Sequence, residues 1–285
     1  MVDARKPAAA GVFYPAEREP LAARVRAVLQ LASEAPKVKG VPARVRAIVV
    51  PHGVFGVAGS VAAAAWALIQ ASASHTGHAG HAGLDRVLLL GPAHHVPFAG
   101  VAAPFADSFS TPLGEVMVDR LAIEGVRHFP QLVVNDLPHE QEPSLEAQLP
   151  LLQTCLPAAT IIPIVVGEVT DDEGAQIVEA LWSERTLVVV STDLSRYFDA
   201  ATARRLDEAT AGAIERLDVA PLGEQQACGH AALRALMLVA RARKMRAVRL
   251  ALGHSGSGAQ TGHVAEPSEA SEPTDVVGFG AFAFG

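Results

Sequence analysis

The chain has 285 residues, is 50% hydrophobic and carries a formal net charge of -7. That size and apolar content allow a large core of one or two domains, and the acidic balance excludes a binder of nucleic-acid backbones, which needs a clustered basic face. Two cysteines cannot build a disulfide framework, so the sequence predicts a protein of a reducing compartment, the cytoplasm.

The N-terminal stretch "MVDARKPAAAGVFYPAEREP" has no sustained apolar region and predicts no secretory signal. A first helix is predicted over 21–33, with Val25, Val28, Leu29 and Ala32 on one face. The run "RAIVV" then predicts a strand ending at Val50, which exits through "PHGVFGVAGS" into the helical pattern "SVAAAAWALIQ". Val61 to Ile69 is the longest apolar run, far short of the roughly 20 residues that span a bilayer. Residues 71–83, with His75, His78 and His81 among Gly and Ala, predict a flexible loop.

Further strands are predicted at "RVLLL" ending at Leu90, "TIIPIVV" ending at Val166 and "TLVVV" ending at Val190. Between them lie helical patterns: "SLEAQLPLLQTC" after Pro143, and 171–184, whose first turn is acidic and suits the helix dipole. Two long helices follow, "AATARRLDEATAGAIERL" and "ACGHAALRALMLVARARK". Strands at 248–252 and 276–284 close the chain, with a polar flexible loop at 256–274 that holds His263. Near-continuous hydrophobic strands alternating with helices predict an α/β fold: a mainly parallel central sheet flanked by helices in three layers. No change of composition divides residues 1–285, so one domain is expected.

Three strands leave the sheet in a similar way. "IVVPH" delivers His52, "LLLGPAHH" delivers His94 and His95, and "LVVVSTD" delivers Asp193. In an open parallel sheet, ligands bind outside the carboxyl ends of the strands. His52 and His94 are therefore candidate metal ligands or acid/base groups, or else structural histidines held by hydrogen bonds. Their spacing matches no local zinc signature. His128, His139 and His254 carry no motif and are expected at the surface or in loops.

The segments "AGVFYPA" (10–16), "PHGVFGVAGS", "LGPAHH", "TPLGEVMVD" (111–119), "EPSLEAQLPLLQ", "STDLSRY" and "ACGHAAL", in that order along the chain, resemble the Memo family, protein B of the AmmeMemoRadiSam system, which is similar in fold to the LigB-type (class III) extradiol dioxygenases. "AGVFYPA" (10–16) resembles the family's Gly-x-Phe/Trp-Tyr signature, and "PHGVFGVAGS" resembles Pro-His-Ala-Gly-Tyr-x-x-x-Gly. "LGPAHH" resembles Leu-Gly-Pro-Ser-His-His, and "TPLGEVMVD" (111–119) matches Thr-Pro-Leu-Gly-x-Val-x-Val-Asp. "EPSLEAQLPLLQ" resembles Glu-His-Ser-Leu-Glu-x-Gln-Leu-Pro, "STDLSRY" resembles Ser-Ser-Asp-Leu-Ser-His-Tyr, and "ACGHAAL" carries the family's Cys-Gly.

The resemblance implies a Memo/LigB-dioxygenase-like fold and a metal cleft of His52, His94 and Cys228, where the dioxygenases use two histidines and a glutamate around iron(II). A thiolate in that set widens the candidate ions from iron to copper and zinc. The alternative for Cys228 is a small buried hydrophobe on a helix. Asp193 and Glu142 keep family positions and are expected to orient ligating imidazoles or to cap helices.

Two positions depart from the pattern. Arg196 stands where the family has the proton-transferring histidine, and Pro143 stands where it has the histidine of Glu-His-Ser. Arginine stays charged and has no acceptor, so the acid/base half of the chemistry is expected to be degenerate. Arg196 is also a candidate anion site, helped by Glu142 and His230, or an exposed residue paired with Asp199 or Glu142. His95 and His230 are candidate substitute bases. Two functions follow: a metal-dependent redox or dioxygenase-like enzyme, or a non-catalytic module that holds a small anionic molecule or peptide. Neither nucleic acid nor membrane is an expected partner.

Overall fold

A computed structural model of the protein describes residues 3–74, 83–256 and 275–285. In chain order the elements are β1 (Ala4–Arg5), α1 (Arg18–Glu34), β2 (Ala47–Val50), α2 (Val57–Ser74), β3 (Arg86–Pro92), β4 (Val101–Ala103), β5 (Ser108–Thr111) and β6 (Gly114–Met117). They continue with α3 (Arg120–Val126), β7 (Leu132–Val134), α4 (Leu137–Glu140), α5 (Pro143–Glu146), α6 (Leu149–Cys155), β8 (Thr160–Val166), α7 (Asp171–Leu181) and β9 (Thr186–Ser191). The last are β10 (Arg196–Phe198), α8 (Ala200–Glu215), α9 (His230–Ala242), β11 (Ala247–His254) and β12 (Val276–Phe284).

The main sheet runs in the order β10-β12-β2-β9-β3-β8-β4-β7, with β11 also paired to β12. Its centre, β2-β9-β3-β8, is parallel, and β12 and β4 join it antiparallel. All residues of β2 and β9 are buried, as both faces of the sheet are covered. On one side α2 packs on β2, β11 and β12, with α1 and α6 against it. A second group has α9 on β3 and β9, α7 against α9, and α8 on β11 and β12. The result is the expected helix–sheet–helix layering. A small sheet, β1-β5-β6, lies apart from the main one. Among the described residues no helix is long and apolar enough to cross a membrane.

Several boundaries differ from expectation. The helix expected after Pro143 is two short helices, because Pro150 in the first turn of α6 cannot extend the preceding hydrogen-bond ladder. The last helix starts at His230 with Gly229 as its N-cap, so Cys228 lies in the turn before it and not on its buried face. Helix α2 continues through Ser74, past the expected start of the loop. Residues 75–82 and 257–274, which hold His75, His78, His81 and His263, lie outside the described residues.

His128 is exposed, but His139 and His254 are buried, contrary to expectation. His139 lies edge-on to Phe109 and donates from Nε2 to Ala102 O at 3.0 Å. Burial pushes its imidazole down to about 4. His254 is drawn into β11, which runs two residues beyond the predicted strand and pairs His254 with Gly278.

Candidate metal centre

The register of the parallel strands assembles the site. Val50 pairs with Ser191, so His52 and Asp193, each two residues further on, leave the sheet side by side. Leu90 pairs with Val190, which sends the loop after β3 to the same edge with His94. Asp193 Oδ1 accepts hydrogen bonds from the backbone N–H of His52 at 2.9 Å and of Gly53 at 3.2 Å, and so ties the loop after β2 to the loop after β9. Asp193 also pins the cysteine turn. Its carbonyl accepts from Cys228 N at 3.3 Å, and its own N–H faces Cys228 Sγ at 3.3 Å. Gly229 permits this approach, since a Cβ there would sit 2.8 Å from Thr192 Cβ.

Glu142 does two jobs. One carboxylate oxygen accepts from His94 N at 2.7 Å, and the other pairs with His94 Nδ1 at 2.8 Å while accepting from Ser144 N as the cap of α5. Orienting an imidazole and capping a helix are thus not alternatives at this position. Gly91 brings α5 close enough: a Cβ there would meet Ser144 Oγ at 2.7 Å and Leu145 Cδ2 at 2.8 Å. With Nδ1 engaged, His94 Nε2 faces Cys228.

One ligand atom each from His52, His94 and Cys228 lies within 4.8 Å of the others. The two imidazoles meet edge to face, with centroids 5.2 Å apart. Cys228 Sγ is 3.5 Å from His52 Nε2. With ion distances of about 2.05 Å to nitrogen and 2.3 Å to sulfur at a tetrahedral angle, two such donors stand about 3.5 Å apart. The donor set therefore fits one ion. His52 is buried, whereas the His94 side chain is 24% exposed and leaves an approach from the cleft.

Charge within the cluster is strongly coupled. Burial raises the Cys228 thiol, but the imidazoles of His52 and His94 overcome this and bring it down to about 6. Burial lowers His94, and hydrogen bonds to Cys228 and Glu142 more than reverse it, to about 9. His52 is likewise raised, by Asp193 and Cys228 against the effect of burial. Glu142 is pushed up by burial, yet His94 brings it to about 2. The same contacts therefore lower the Cys228 thiol and raise both imidazoles.

Arg196 is neither exposed nor paired with Asp199 or Glu142. Its Nη2 lies 3.2 Å from His52 Nε2 and 3.2 Å from Asp193 Oδ2. Asp199 instead caps α8 through Thr202 N, and Glu142 is taken by His94. The register of β10 against β12 breaks between Arg196 and Phe198, where Tyr197 has φ 62°. Tyr197 is 73% exposed while Arg196 faces the site.

His95 is exposed and stands outside the ligand cluster. His230, the first residue of α9, lines a cavity of about 570 Å³ that Cys228 also borders. Three acids, Glu168, Glu173 and Glu224, line that cavity and neither Lys nor Arg does. Sequence reasoning missed the polar residues behind His52. His52 Nδ1 is 3.3 Å from Ser191 Oγ, which Gln148 Nε2 approaches to 2.9 Å. Gln148 and Ser191 both lie inside segments singled out above, but a lone buried Gln or Ser has no sequence signature.

Fold and site together define an α/β protein with a two-histidine, one-cysteine pocket at the carboxyl edge of a largely parallel sheet. The chain belongs to the Memo-like protein family, whose model matches residues 5–267. A MEMO1 family protein of Aquifex aeolicus (strain VF5) is 34% identical over 223 residues, covering 76% of this chain and 77% of that one. The MEMO1 family protein Ta0237 of Thermoplasma acidophilum is 29% identical over 273 residues, covering 92% and 95%. One from Archaeoglobus fulgidus is 29% identical over 275 residues, covering 91% and 96%. Among solved structures, an uncharacterized protein from Escherichia coli K12 aligns with a TM-score of 0.47 at 9% identity, covering 84% of this chain and 99% of that one.

Proposed function

We propose that this protein binds one transition-metal ion through His52, His94 and Cys228 and uses it in a redox or dioxygenase-like reaction with a degenerate acid/base set. The observation that carries the reading is the 3.5 Å separation of Cys228 Sγ and His52 Nε2, the spacing of two donors on one ion. Two imidazoles and a thiolate suit iron or copper, with zinc as the non-redox alternative. The bound ion would supply Lewis acidity and, if it is iron or copper, one-electron chemistry.

The chain's own residues set the rest. Glu142 holds the His94 ring by Nδ1 and keeps Nε2 turned to the cleft. Asp193 fixes the backbone of His52 and the turn of Cys228. Arg196 occupies the place of a proton-transfer group but cannot accept a proton. Pro143 brings no side-chain function to the cleft. Among the described residues His230 lines the adjoining cavity, and His95 is exposed beside His94 in sequence. Cys228 must remain a free thiol to ligate, which agrees with a reducing, cytoplasmic setting.

A second reading, a non-catalytic module for a small anionic molecule or peptide, draws on Arg196, which faces the ligand cluster and carries a buried Nε without a partner. The acids around the cavity oppose it for any anion that fills that space. The test is elemental analysis of untagged protein purified without chelator, followed by zinc, copper(I) and iron(II) titrations. Near-stoichiometric metal that is lost in Cys228→Ala supports the first reading. Metal-free protein with no tight binding of any of the three ions refutes it.

A further inference from the structure

We propose that a buried hydrogen-bond relay, Trp66–Gln148–Ser191, fixes the tautomer of His52 and so decides which ring nitrogen it presents to the cleft. Its importance for metal rests on the reading above, but the assignment itself follows from donors and acceptors alone.

The relay starts at an atom with one possible role. Trp66 Nε1 can only donate, and it lies 3.3 Å from Gln148 Oε1. This orients the amide, so that Gln148 Nε2 faces Pro51 O at 2.8 Å and Ser191 Oγ at 2.9 Å. Pro51 O can only accept, which gives the same amide orientation independently. Ser191 Oγ therefore accepts from Gln148. Its single proton goes to Ser144 O at 2.7 Å, again an atom that only accepts. The lone pair that remains on Ser191 Oγ faces His52 Nδ1 at 3.3 Å and must receive a proton from it. Neutral His52 thus carries its hydrogen on Nδ1 and its lone pair on Nε2.

On the other side of the ring, Arg196 Nη2 can only donate and at 3.2 Å is nearer His52 Nε2 than the two groups that could take a proton from it, Cys228 Sγ at 3.5 Å and Asp193 Oδ2 at 3.6 Å. Trp66, Gln148, Ser191, Ser144 and His52 are all buried, so water is not at hand to rewire the chain. The two histidines are consequently backed differently. His94 leans on a carboxylate, and His52 leans on a neutral hydroxyl whose direction is set by Gln148 and Ser144. Gln148 and Ser191 are positioning residues in this scheme.

The test uses full-length, metal-free protein with ¹⁵N-labelled histidine, at a pH where His52 is neutral. Long-range ¹H–¹⁵N correlation spectra identify the protonated nitrogen, with His52 assigned by its loss in His52→Gln. The expected result is His52 protonated at Nδ1. Ser191→Ala shifts the population toward the Nε2–H form, and Ser191→Thr restores the wild-type signature by returning the hydroxyl. In zinc titrations Ser191→Ala binds about 10–100-fold more weakly, with Thr again restoring affinity. A wild-type ring protonated at Nε2, or a tautomer unmoved by Ser191→Ala, overturns the relay. Wild-type protein with the Nδ1–H signature but no affinity for zinc, copper(I) or iron(II) supports the relay and overturns the metal reading. If Ser191→Ala fails to fold, the wild-type spectrum alone decides.

Discussion

Replacing Arg196 by alanine is expected to tighten metal binding. Arg196 Nη2 lies 3.2 Å from His52 Nε2, on the lone pair that an ion needs, and 3.2 Å from Asp193 Oδ2. An entering ion must break the first of these hydrogen bonds. Hydrogen bonds with a charged partner contribute about 1.5–3 kcal/mol net. The guanidinium charge also repels a cation, but Asp193 neutralises much of it, so the hydrogen bond sets the scale. At about 1.4 kcal/mol per factor of ten, Arg196→Ala should lower the Kd roughly 10–100-fold. Asp193 keeps its contacts with the backbone N–H groups of His52 and Gly53, so the loop stays in place. Arg196→His should bind at least as tightly, as it removes the fixed charge and adds a donor. Competition titration of zinc or cobalt(II) against a chromophoric chelator measures both variants, with thermal melts to confirm folding. An unchanged or raised Kd in Arg196→Ala would refute the competition argument.

Metal affinity should rise with pH up to about 9, where His94 loses its proton, because only neutral imidazole ligates. Glu142→Gln removes a partner that raises His94, so that limb should move to lower pH in the same titration; an unmoved limb would show that Glu142 does not control the ring. His139 is neutral when folded, with its pKa depressed to about 4 from an ordinary 6.5. Its contribution is therefore complete above pH 6.5 and is lost as pH falls toward 4, an acid destabilisation of about 3 kcal/mol. Urea unfolding across that window should be flatter in His139→Gln, and an equal slope in both proteins would rule the group out. No efficient ring-opening of catechol or protocatechuate is expected, even with iron(II) added anaerobically, since a positioned base contributes about 10²–10⁴-fold and Arg196 cannot be one. Slow metal-dependent oxidation, if it occurs, should vanish in Cys228→Ala and His52→Ala; robust yellow ring-opened product would show that another group supplies the base.

The central strands were legible because a sheet covered on both faces needs unbroken apolar runs, and β2, β3, β8 and β9 have them. Direction was not legible: the run of β12 looks like the others, yet β12 joins the sheet antiparallel. The three- and four-residue strands β4 to β7 are too short to show a period. At the site, His52 and His94 could be found from their strand exits. Cys228 could not, since its turn depends on long-range contacts with Asp193, and only the family resemblance pointed to it. The inward turn of Arg196 depends on an irregular pairing at Tyr197. The burial of His139 depends on Ala102 and Phe109, both distant in sequence. Such pairings leave no local pattern.

His52, His94 and Cys228 lie in three widely separated parts of the chain and meet only when β2, β9 and β3 are in register and the turn before α9 has closed on Asp193. No short peptide fragment contains the whole donor set. An ion held there would act as a cross-link over most of the chain, favouring the folded form over the unfolded one by about 2.7 kcal/mol at a hundred times its Kd. Occupancy would then report that the sheet had been completed, and a half-assembled chain would compete poorly for scarce metal in the cell.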